Sequence, residues 1–269
     1  MRCATARGHG RHRYTAGLIP RLPMTDPRLL AIDAATETVH LALLCGGALR
    51  VRALPAGAQA SATLLPAVQG LLAEAGCTLA QLDAIGFGRG PGAFTGLRTA
   101  CAVAQGLALG SGRPLLALDT LAAVAESAHQ RCGVDQVWAA TDARMGEVYA
   151  ACWQRLGPGH WQLRQSAALY SPASLAAAVA RHPVAVAGNA LALPALQEAL
   201  GSVDAALVQI ADAAPDGAAL AALAQAAWQR GETLDPALAL PLYVRDKVAQ
   251  TTAERLAARP AAQPSTTAP

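Results

Sequence analysis

At 269 residues, 53% apolar and only 14% charged, the chain has material for one large domain or two modest ones, and its composition excludes a disordered protein. No apolar run is both long enough and free enough of glycine to span a bilayer, so a membrane protein is not expected. The net charge of +3 hides an asymmetry: residues 1–23 hold five arginines and no acid, which leaves −2 for the remainder and excludes a nucleic-acid binder acting by bulk charge.

Residues 1–23 have no periodicity, and Met24 directly precedes the first apolar strand. They read as a disordered or untranslated extension, with an Arg-rich transit peptide as the alternative. Leu29–Asp33 and Val39–Leu44 then read as strands, Cys45-Gly46-Gly47 as a turn, and Ala48–Ala53 as a third strand. A helix over Ser61–Ala75 follows, with Pro66 either in its first turn or kinking it. Asp83–Phe87 is a strand, Leu97–Leu109 a helix and Leu115–Leu118 a strand. Thr120–Ala128 is a helix that Thr120 would cap.

The pattern then restarts. Val137–Thr141, Val148–Trp153 and Trp161–Arg164 read as strands, Pro172–Ala180 as a helix, and Val184–Ala187 as a strand. Leu193–Leu200 is a helix and Ala206–Ile210 a strand. Asp216–Arg230 is a last helix, expected to return to the first half. From Thr252 onward Ala, Pro, Ser and Thr dominate, and a disordered tail is expected over 252–269. Asp33 precedes Val39 by six residues, and Asp142 precedes Val148 by six. A β-β-β-α-β-α-β unit used twice resembles the actin-like ATPase, sugar-kinase and Hsp70 (ASKHA) fold, an α/β architecture. Its two Asp turns face each other across a cleft and hold nucleotide phosphates. The lobes would be 24–112, joined by a returning helix at about 214–232, and 113–213, with 233–251 a separate C-terminal segment.

The most informative stretch is G-F-G-R-G-P-G-A-F-T-G-L-R, residues 86–98, with five glycines in eleven positions between a strand and a helix. Such a loop aims backbone N–H groups at one point and suits an anion, or is only a tight turn. The nucleotide-triphosphatase loop needs Gly-Lys-Ser/Thr, and the one lysine, Lys247, is far away. Gly88, Gly90 and Ala93 fit a dinucleotide fingerprint loosely, but after several strands rather than the first. The six cysteines show no C-x-x-C, and His40, His129, His160 and His182 never pair at ligand spacing. A reducing cytoplasm and no metal site are expected.

Leu30-Ala31-Ile32-Asp33, G-R-G-P-G-A-F-T-G-L-R (88–98), A-Q-G-L-A-L-G (104–110), D-A-R-M-G-E-V-Y (142–149) and P-L-Y-V-R (241–245) occur in this order. Together they resemble the TsaB (YeaZ) family from about Met24 to Ala249. The resemblance implies a non-catalytic subunit of the machinery that makes threonylcarbamoyladenosine beside the tRNA anticodon. It implies a heterodimer with the catalytic paralogue TsaD, docking of the ATPase TsaE, a homodimer when alone, and tRNA contact only through partners. The paralogue binds metal through two histidines four residues apart. Thr120 and Val124 occupy those positions here, and they make no such site.

The resemblance also yields candidate sites. The signature loop is Arg89, Gly90, Pro91, Gly92, Thr95, Gly96 and Arg98. A degenerate nucleotide cleft would use Asp33, Thr36, Asp142, Gly146 and Gly188. Ala replaces Gly after Asp33 and Glu37 would repel phosphate, so no cofactor is expected beyond weak or interface-shared ATP or ADP. Asp33, Thr36, Thr38 and Asp142 also read as simple turn caps. Small and aliphatic stripes nominate Val68, Leu72, Ala100, Ala104, Leu107 and Ala108 as a dimer interface. Pro55–Ala60 lacks the Arg/Glu/His cluster that members often carry there. An ATP-dependent small-molecule kinase of the same fold is the alternative. A peptidase, suggested by the label glycoprotease-like, finds no Ser/His/Asp set or H-E-x-x-H.

Overall fold

The computed structural model describes residues 26–57, 60–204 and 206–245; the expected extension at 1–23 and tail at 252–269 lie outside the described residues. Two five-stranded sheets share one plan. The first contains β1 (Leu29–Asp33), β2 (Thr38–Cys45), β3 (Ala48–Pro55), β4 (Ala84–Gly90) and β5 (Leu115–Asp119), in the order β3-β2-β1-β4-β5. The second contains β6 (Gln136–Arg144), β7 (Glu147–Gly157), β8 (His160–Tyr170), β9 (Ala185–Ala187) and β10 (Gln209–Ile210), in the order β10-β9-β6-β7-β8. In each sheet the first three strands form an antiparallel meander, and the last two run parallel to the first. This is the duplicated α/β plan expected from the sequence.

The helices form layers around and between the sheets. α1 (Ala60–Glu74) and α2 (Phe94–Ser111) cover the outer face of the first sheet, packing on Leu30, Ile32 and Phe87. α4 (Pro172–Arg181) and α5 (Pro194–Gly201) cover the outer face of the second, around Trp138 and Val148. α3 (Thr120–Cys132) and α6 (Gly217–Arg230) lie between the sheets, in one core with Leu116 and Leu118 of the first and Val137 and Ala139 of the second. α3 is buried continuously from Thr120 to Ala128, and its polar members there are paired: Thr120 with Asp33, Glu126 with the Trp161 indole and Ser127 with Asp216. α6 also packs on β1, β2 and β3.

Several expectations change in detail. Asp119, not Thr120, caps α3, its carboxylate accepting from the N–H groups of Leu121 and Ala122 at 3.0 and 3.2 Å. Pro66 sits in the interior of α1 because the helix begins at Ala60, and its ring faces solvent. β8 continues past Arg164 because its pairing with β7 runs as far as Val148–Tyr170. The strand expected at 206–210 contracts to Gln209–Ile210.

The interface stripes also need correction. Val68, Leu72, Ala100, Ala104 and Ala108 are all buried against their own sheet, so they are not surface residues; Leu107 is half-buried. The outward face of α2 is instead Ala102, Gly106, Leu109 and Gly110, and on α1 Leu65 is exposed.

Candidate inter-lobe cleft

A cleft of about 240 Å³ opens between the lobes. Its walls are the β1–β2 turn at Thr36 and Glu37, the glycine loop, the β6–β7 turn at Asp142 and Arg144, and residues 242–245. Of the five cleft candidates, Thr36 and Asp142 line it, and Asp33, Gly146 and Gly188 do not.

Asp33 is fully buried. Its carboxylate accepts from the Ala35 N–H at 2.8 Å and from the Thr120 hydroxyl at 2.7 Å. Burial pushes its pKa up to about 6; the Ala35 and Thr120 hydrogen bonds pull it down, and nearby Asp119 adds to the rise. The residue therefore staples the start of α3 to the β1 turn and is turned away from the cleft. Burial raises the pKa of Asp119 too, opposed by Arg89 and by the helix cap.

The glycine loop explains this seal. A Cβ at Gly88 would overlap the Asp33 carboxylate, and one at Gly96 would overlap the Ala34 carbonyl. At Gly92 it would lie 2.5 Å from both the Ala35 Cβ and its carbonyl oxygen. The Ala93 N–H donates to that carbonyl at 2.8 Å. These glycines allow the loop to lie flat on residues 33–35 of its own lobe. α2 starts at Phe94 with no side-chain cap.

The rest of the signature loop is spent in similar ways. Arg89 lies 3.5 Å from the Asp119 carboxylate, and Gly90 and Pro91 are joined by a cis peptide. Thr95 is exposed, its carbonyl accepting from the Thr99 hydroxyl at 3.0 Å. The Arg98 guanidinium lies 3.8 Å from the Phe94 ring centroid, and its Nε donates to the Tyr243 hydroxyl at 3.1 Å.

The second lobe's turn is built alike but left open. The Asp142 carboxylate accepts from the Arg144 N–H at 2.7 Å, and the Asp142 N–H donates to Asn189 Oδ1 at 3.0 Å. Gly146 is exposed with nothing near it. Gly188 is instead packed tightly, where a Cβ would overlap the Ala140 carbonyl.

Glu37 crosses the cleft. Its carboxylate pairs with Arg144 at 2.7 Å and accepts from Asn189 Nδ2 at 3.2 Å. Arg245 pairs with Glu147 at 2.6 Å. Arg144, Phe94, Tyr243 and Arg245 are not singled out as site residues by the sequence, whereas Asn189 is, beside Gly188, as part of a reduced adenosine loop. The P-L-Y-V-R and D-A-R motifs were the available signal, but only tertiary contact brings them together. At the two positions implied for metal-binding histidines, Thr120 is held by Asp33 and Val124 is buried in the shared core. Among the described residues no group of three His, Cys, Asp or Glu is placed to hold a metal.

The family model described as "TsaD: tRNA N6-adenosine threonylcarbamoyltransferase" matches residues 55–159. The chain is 41% identical over 145 residues to the Escherichia coli (strain K12) protein named "tRNA threonylcarbamoyladenosine biosynthesis protein TsaB". That match covers 54% of this chain and 63% of the relative. Among solved structures, YeaZ from Pseudomonas aeruginosa is 38% identical with a TM-score of 0.69, over 81% of this chain and 99% of that one. A second, described as an uncharacterized protein with similarity to peptidase YEAZ from the same organism, is 40% identical with a TM-score of 0.72, over 81% and 100%.

Proposed function

We propose that this chain, which belongs to the TsaB (YeaZ) family, serves as a non-catalytic subunit for threonylcarbamoylation of the adenosine next to the tRNA anticodon. The observation that carries this reading is the seal on Asp33. In the ASKHA plan the first-lobe Asp faces the phosphates, and here it is buried, bonded to Thr120 and roofed by the glycine loop. Arg144 and Arg245, the two cations lining the cleft among the described residues, are paired with Glu37 and Glu147, which leaves little there to attract a triphosphate. These features speak against the small-molecule kinase alternative. They fit, at most, weak ATP or ADP binding or a nucleotide shared with a partner.

The working surface is then an interface. The outward faces of α1 and α2, with Leu65, Ala102, Gly106 and Leu109, supply small and apolar residues that let a second pair of helices approach closely. We assign this face to the paralogue TsaD, or to a second copy when the chain is alone, with TsaE docking on the resulting heterodimer in the cytoplasm. tRNA is reached through the partners, since the chain beyond residue 23 carries a net −2.

The test is threonylcarbamoylation of tRNA by TsaD and TsaE of the same organism, with threonylcarbamoyl-AMP supplied, with and without this chain. Product formation that depends on the chain is expected. Full activity without it would overturn the assignment.

A further inference from the structure

The last described residues cross the mouth of the cleft and touch both lobes in turn. The Leu242 N–H donates to the Arg89 carbonyl at 2.6 Å, on the first lobe's glycine loop. Tyr243 packs against Phe94 with the rings tilted by 39° and their centroids 5.2 Å apart, and its hydroxyl accepts from Arg98. Two residues later the chain has changed lobes. Arg245 donates to Glu147 at 2.6 Å, to the Met145 sulfur at 3.4 Å and to the Arg144 carbonyl at 3.5 Å. Its side chain is only 14% exposed.

A second tie spans the same gap, from Glu37 to Arg144 and Asn189. Both ties end on the β6–β7 turn, where Arg144, Met145 and Gly146 are successively left-handed, with φ of 66, 58 and 73°. Two non-glycine residues held in that region are costly unless their surroundings fix them. The Arg245 contacts to Arg144, Met145 and Glu147 are such surroundings.

We propose that residues 242–245 form a strap which, together with the Glu37–Arg144 pair, clasps the two lobes and sets the width of the cleft. The lobes share a packed core at their base through α3 and α6, so movement is confined to the mouth. Each tie is partly solvated and weak alone, while both together hold the turn in place, because one tie keeps the partners of the other close. Opening of the cleft therefore needs both to let go. A ligand or partner that draws Arg245 away from Glu147 frees the second lobe's turn first.

Hydrogen exchange by mass spectrometry on the full chain tests this, using Tyr243→Ala, Arg245→Ala and the pair Arg245→Ala with Glu37→Gln. The amides of Ala93, Asp142 and Arg144 are hydrogen-bonded at the cleft. Peptides over 91–97 and 141–148 should exchange roughly three- to tenfold faster in the single variants and faster still in the double, with β1 and the first half of β6 unchanged. Unchanged exchange at both segments in the double variant would overturn the strap. So would equal acceleration in β1 and β6, because that reports general destabilisation.

Discussion

The two Asp turns hold the same place in the two halves of the repeat and make the same first bond, yet one is sealed and the other open. Asp33 accepts from the N–H two residues on at 2.8 Å, and Asp142 does so at 2.7 Å. Both are Asx turns at the end of a lobe's first strand. What surrounds them differs. Above Asp33 lie Gly88 and the glycine loop, and beside it the Thr120 hydroxyl; its exposure is 0%. Above Asp142 there is the cleft, and the side chain keeps 17% of its surface. The first lobe has spent its turn on packing, and the second has kept its turn on the surface, where it meets Arg144 and the strap. Duplication supplied two equivalent acids, and the loop that follows decides what each is used for.

The comparison can be broken experimentally, and the largest effect should come from the roof of the sealed turn. Gly88→Ala puts a methyl group into the Asp33 carboxylate and pushes it off Thr120. A loss of about 3–5 kcal/mol is expected in denaturant unfolding. Asp33→Asn sharpens the point through pH. In the native chain the Asp33 pKa is raised from 3.8 to about 6, so the folded state holds its proton more tightly than the unfolded state does. Its contribution is therefore full below pH ~4 and is lost as pH rises to about 6, for a total of about 3 kcal/mol. The Asn variant should lose the Asp33 share of the slope between pH 4 and 7 and keep only what Asp119, also raised by burial, supplies. An unchanged slope would mean that Asp33 is not the buried acid responsible.

Smaller effects are expected on the open turn. Gly146 has φ of 73° and empty space around it, so Gly146→Ala should cost only about 1 kcal/mol, from backbone strain alone. Asp142→Asn keeps the Asx turn and should change thermal unfolding by less than about 0.5 kcal/mol. If the two lobes' variants cost the same, the contrast between sealed and open turns is wrong.

The duplicated fold was legible because it rests on apolar runs and on the repeated six-residue step from Asp33 to Val39 and from Asp142 to Val148. The orientation of α2 was not. Its buried stripe of Ala100, Ala104 and Ala108 and its outward residues Ala102, Gly106 and Gly110 are equally small and uncharged, so the sequence carries no contrast to say which faces water. Thr120 looked like a helix cap, but Asp119 one residue earlier has the carboxylate that reaches the amides of Leu121 and Ala122. Glu37 read as a repellent for phosphate because its partner, Arg144, is more than a hundred residues away. The strap was invisible for the same reason: P-L-Y-V-R was a motif without a position until Tyr243 met Phe94 and Arg98.

The central claim is that this chain works through a surface and not through chemistry in its cleft. The most direct measurement is the rate of tRNA threonylcarbamoylation in the reconstituted reaction with TsaD and TsaE, comparing Asp142→Asn and Gly106→Arg with the unsubstituted chain. The account predicts that Asp142→Asn stays within about twofold, and that Gly106→Arg, a large charge on the outward face of α2, falls at least about tenfold. A dead Asp142→Asn beside a fully active Gly106→Arg would contradict it and return the function to the cleft.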